Sequence, residues 1–126
     1  RPGFEIACPV TVNVNDDAGA ALIPVKYMLA FYIGGMGAKK QNFHANLVRR
    51  MGYGEAVDRI QELFSAGRRD EAALAVPDDF ADEISLVGPP ARIRDRLAAW
   101  RQSPVTTILA GTTDVHALRV LAEAAA

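Results

Sequence analysis

The chain has a single cysteine, Cys8, so no internal disulfide can form, and a reducing compartment suits it. It has two histidines, His44 and His116, with no second His, Cys or paired carboxylate at ligand spacing, so no metal site is expected. Charge of either sign is not in surplus: 14 basic against 15 acidic residues leave a net charge of −1. Nucleic-acid binding needs a clustered basic surface and is therefore not expected. No apolar run reaches membrane-spanning length, because Leu22 to Ile33 is interrupted by Pro24 and Lys26. Initiator methionine, signal-peptide pattern, internal repeats and low-complexity linkers are all missing as well. A cytoplasmic protein without membrane or nucleic-acid partners is the expectation.

What the chain does have is a 50% hydrophobic composition, enough to bury a core, arranged with two strand patterns near its ends. From Phe4 to Val14, Phe4, Ile6, Cys8, Val10, Val12 and Val14 alternate with Glu5, Ala7, Pro9, Thr11 and Asn13. Period-two alternation places each set on its own face of a strand. Pro9 predicts an irregularity, or a strand whose pairing ends nearby, since proline cannot donate to a central ladder. The second strand is expected over Val105 to Ala110.

The rest reads as helix. Asn15-Asp16-Asp17 supplies an N-cap and acidic first-turn residues for a helix through about Tyr32, which Pro24 should kink or restart. A glycine-rich loop, Gly34-Gly35-Met36-Gly37, follows, then a short helix from about Gln41 to Arg50 closed by Gly52 and Gly54. From Glu55 to Ala66, Ala56, Ile60, Leu63 and Phe64 share a face, Glu55 can pair with Arg59, and Gly67 is the C-terminal cap. Two short helices are expected around Arg69 to Ala75 and after Asp78-Asp79. Gly88-Pro89-Pro90 breaks the chain and starts a helix with Ile93, Leu97 and Trp100 on its apolar face. Gly111-Thr112-Thr113-Asp114 turns into a last helix capped by Thr113 or Asp114, with Val115, Leu118 and Leu121 buried.

Strands each followed by helix build parallel sheets, which are covered on both faces. Two strands cannot make such a sheet alone. The fold class expected is α/β: the C-terminal portion of a (β/α)8 TIM barrel, with two parallel strands and a helical insertion between them. Residues 1–126 would then be an incomplete part of one barrel domain, lacking its N-terminal strands. Chemistry in such barrels sits at the C-terminal strand ends and in the loops after them. Thr11, Asn13, Gly111 and Thr112 are therefore candidate pocket-lining residues, with satisfaction of nearby backbone as the alternative for Thr11 and Asn13.

Gly34 to Lys40 invites a phosphate-loop reading, but the spacing lacks the closing GK[ST] and a helix precedes it. A loop, or a lid over the pocket, fits better. His44, His116 and Cys8 read as structural, Asp16-Asp17 and Asp78-Asp79 as helix caps, and Trp100 as core. No nucleophile–base pair is present, and the catalytic residues are not assigned.

Phe31-Tyr32-Ile33-Gly34-Gly35-Met36-Gly37, Asn42-Phe43, Arg49-Arg50-Met51-Gly52-Tyr53 and Ala56 resemble the C-terminal part of luciferase-like oxidoreductases. Within that superfamily the chain is most similar to the group using the deazaflavin coenzyme F-420. Glu71-Ala72-Ala73, Val76-Pro77-Asp78, Leu86-Val87-Gly88-Pro89 and the closing strand and helix through Val105 to Leu121 extend the similarity. The resemblance implies a barrel enzyme that transfers hydride between coenzyme F-420 or FMN and a small-molecule substrate, or activates oxygen on flavin. The family's acid–base residues lie mostly in earlier strands, so none is carried over, and the 126 residues alone should be inactive. Gly34, Gly35, Met36, Gly37, Asn42 and Phe43 become candidate substrate or lid contacts, and a homodimer is admitted. Two alternatives stay open: a non-catalytic helical interaction or dimerisation module, and a cofactor-free barrel lyase or isomerase.

Overall fold

The computed structural model describes residues 2–38 and 40–126. Along the chain run β1 (Ala7–Val14), α1 (Ala18–Gly34), α2 (Phe43–Val48), a π-helical turn (Arg49–Tyr53), α3 (Gly54–Ser65), α4 (Arg69–Leu74) and α5 (Asp78–Glu83). β2 (Ser85–Gly88), α6 (Pro90–Arg101), β3 (Thr107–Gly111) and α7 (Val115–Ala125) complete it. Two compact units result: Arg1–Ala21 with Ile84–Ala126, and Leu22–Glu83.

The first unit is built on a wholly parallel sheet in the order β2-β1-β3. The expected pair, β1 and β3, are neighbours, with Ala7 opposite Thr107 and Thr11 opposite Gly111. The expectation of two strands is corrected to three. Ser85–Gly88 is buried throughout and pairs with Thr11–Val14. A strand buried on both faces shows a plain apolar run rather than alternation, and four residues carry little of either.

β1 also starts later than its pattern suggested. Phe4 is 67% exposed and lies outside the strand. Pro9 sits inside an unbroken strand, and the backbone geometry explains why. The Asn15 N–H donates to the Gly88 carbonyl, so odd-numbered residues of β1 aim their backbone groups toward β2. β2 first reaches β1 at Thr11, so the side on which Pro9 lacks a donor has no strand to receive one.

Even-numbered residues of β1 form the core. Val10 and Val12 are buried with Leu86, with Ile93 and Leu97 from α6, and with Ala117, Val120 and Ala124 from α7. Val115 and Leu118, expected inside, are exposed, and Leu121 is only partly buried. Ala117, Val120 and Ala124 do the packing instead, and the two small side chains let the helix approach the sheet closely. Trp100 flanks this core, half-buried. Asp114 caps α7 by accepting from the His116 backbone N–H at 2.9 Å.

In the second unit α1 is one helix through Pro24, with no restart. Val25, Leu29, Ala30 and Ile33 are buried, whereas Ile23, Tyr27 and Phe31 stand 46%, 44% and 51% exposed. Gly52 breaks the helical path as expected: at φ 100° its backbone is non-helical, and two helices meet there across a kink, the second running on as α3. On α3, Val57, Ile60, Gln61 and Leu63 are buried, and Arg59 pairs with Glu62 rather than Glu55. Gly67 takes the left-handed conformation expected of a helix cap, at φ 77°. Tyr27 donates to Asp70 at 2.6 Å, and Lys26 pairs with Asp78.

Candidate functional site

The C-terminal end of the parallel sheet brings together most of the residues expected to line a pocket. Odd-numbered residues of β1 point away from α6 and α7. Thr11 and Asn13 are half-buried on that face, and Ala7, Pro9, Leu109 and Gly111 are exposed. Register sets Thr11 between Ser85 of β2 and Gly111 of β3, with Asn13 opposite Val87 one rung on.

Their polar groups have different employment. The Asn13 side-chain amide donates to the Ala21 carbonyl at 3.1 Å, next to the stretch where Pro24 contributes no helical N–H. Asn13 thus satisfies backbone, the plainer of the two expectations for it. The Thr112 hydroxyl accepts from the Asp114 N–H at 3.1 Å and shapes the turn into α7. Gly111 lies against its neighbour strand: a Cβ there would stand 3.1 Å from the Val10 carbonyl oxygen. The Thr11 hydroxyl has no hydrogen-bond partner among the described residues. None of these four side chains is ionisable, so this sheet end can bind and orient by hydrogen bonding but cannot itself move a proton as acid or base.

The candidates of the second unit are largely committed to its packing. A Cβ on Gly34 would lie 2.6 Å from the Phe64 Cβ, and one on Gly35 2.8 Å from the Phe64 ring. These glycines let α3 close on the end of α1. Gly37, at φ 89°, holds a left-handed turn. Asn42 is 3% exposed, donating to the Tyr32 and Ile33 carbonyls at 3.1 and 2.7 Å and accepting from the Ala45 N–H at 3.0 Å. It closes α1 and opens α2 with one side chain. Phe43 is 66% exposed and meets His44 edge-on, while Met36 is 39% exposed. Of this group, Met36 and Phe43 keep side chains free to meet a ligand. Lys39, weighed in the phosphate-loop reading, lies outside the described residues.

Sequence reasoning missed Ser85 and Val87 beside the candidate residues, and Leu109 on the same face. The run Ile84 to Val87 before Gly88 was the available signal. It also missed the network around the end of α1. Gln61 donates to the Ile33 carbonyl at 3.2 Å, and Arg49 reaches both Gln61 and Asp58. Among the described residues, no group of three His, Cys, Asp or Glu could hold a metal, and no helix is long and apolar enough to cross a membrane.

Comparison with known proteins agrees with this architecture. The luciferase-like monooxygenase family matches residues 1–107. A Mycobacterium tuberculosis (strain ATCC 25618 / H37Rv) protein named "Putative coenzyme F420-dependent oxidoreductase Rv3520c" is 41% identical over 122 residues, 97% of this chain. The chain spans 35% of that relative's length. No solved structure matches. With parallel β1 and β3 as adjacent strands and the family match covering most of the sequence, the chain belongs to the luciferase-like monooxygenases, a family of TIM-barrel fold.

Proposed function

We propose that the chain is part of an oxidoreductase that moves a hydride between coenzyme F-420 or FMN and a small organic substrate. The observation that carries this reading is the 41% identity, over nearly the whole chain, to a protein whose name states F420 dependence. The coenzyme supplies the redox chemistry when bound.

At the sheet end Gly111 lies close against β1, where a Cβ would stand 3.1 Å from the Val10 carbonyl oxygen, and Thr11 beside it offers a neutral hydroxyl. Neither carries charge, which suits a ring edge better than a phosphate. The role of this chain is then to seat and orient, with Thr11 and Gly111 at the sheet end and Asn13 holding the start of α1. The proton-handling groups would come from elsewhere in the full-length protein, which is cytoplasmic on this reading.

The test is turnover by the full-length protein with reduced F-420 or FMN, followed by ring absorbance. Coenzyme-dependent turnover is expected, and the isolated 126 residues should show none. Absence of turnover and of ring binding with both coenzymes would refute the reading.

One observation favours a second role alongside it. Ile23, Tyr27 and Phe31 form an exposed apolar stripe on α1 at i, i+4, i+8, the spacing of a helix face that meets a partner. A homodimer through this stripe is expected to dissociate on Phe31→Glu, as read by sedimentation.

A further inference from the structure

We draw no further inference here: the strongest candidate, the apolar cavity between α6, α7 and the start of β3 lined by Leu97, Trp100, Ile108 and Leu121, lies beside an edge strand of a sheet that awaits further strands, and nothing in the structure shows what covers it.

Discussion

At the scale of single residues, Asn42 shows how a polar side chain in a glycine-rich neighbourhood can be mistaken for a ligand contact. Its amide serves the last carbonyls of α1 and its oxygen the first turn of α2. Asn42→Ala removes a cap and strands buried carbonyls, although Gln61 still reaches Ile33. The expected loss is about 2–4 kcal/mol, seen as a lower denaturant midpoint at unchanged slope. Nothing in the sequence around Asn42 distinguishes capping from binding, since both use the same amide. Asp114 was legible only as one of two candidate caps with Thr113, since either side chain directly before an apolar-periodic helix can accept from its first turn. Tyr27 supplies a pH-dependent reporter. Its hydrogen bond to Asp70, then burial and the Asp70 charge, raise its pKa above the ordinary 10.0. A raised pKa means that this contribution is complete below the unfolded value and lost as pH rises through the folded one. Ultraviolet titration should therefore show a late-ionising phenol that Tyr27→Phe removes.

At the scale of elements, Gly34 and Phe64 make the tightest junction. Gly34→Ala should cost about 1–3 kcal/mol through overpacking, because its new methyl meets the Phe64 Cβ and ring base. Phe64→Leu should recover part of that loss, and a double-mutant cycle measures the coupling. The helix periods were read correctly in the middle of α3 and α6, where large apolar residues mark the buried side. The reading failed on α7 because two of its three buried residues, Ala117 and Ala124, carry little hydropathic signal beside the third, Val120. β2 escaped for a related reason: Ser85-Leu86-Val87-Gly88 is too short to show a period. β1 was visible from its alternation, and of the two readings of Pro9 the irregularity failed while the nearby end of pairing held on one side, where β2 begins at Thr11. Only the pairing register reveals that its missing donor faces away from β3. Pro9→Ala should accordingly change stability by no more than about 1 kcal/mol, through the unfolded chain alone.

At the scale of the molecule, the sheet is dressed on one side. α6 and α7 cover Val10, Val12 and Leu86, while Pro9, Leu109 and Gly111 remain exposed on the other face. Parallel sheets in stable proteins are covered on both sides, so this surface calls for further barrel strands. That inference needed no comparison, and it agrees with the 35% share of the relative's length that the chain spans. The chain expressed alone should bind an apolar dye strongly and lose that binding in the full-length protein. The site was legible in outline, as strand ends, and illegible in detail. Whether a threonine or asparagine is free depends on which carbonyl lies within reach, and composition is silent on that.

The proline in β1 has one more effect, on what the polypeptide avoids while it is being made. A bare strand flank recruits stray strands through its row of amides. Along Ala7 to Pro9 that row is interrupted where a visitor would need its donor. The same missing donor makes that flank a poorer template for a stray strand.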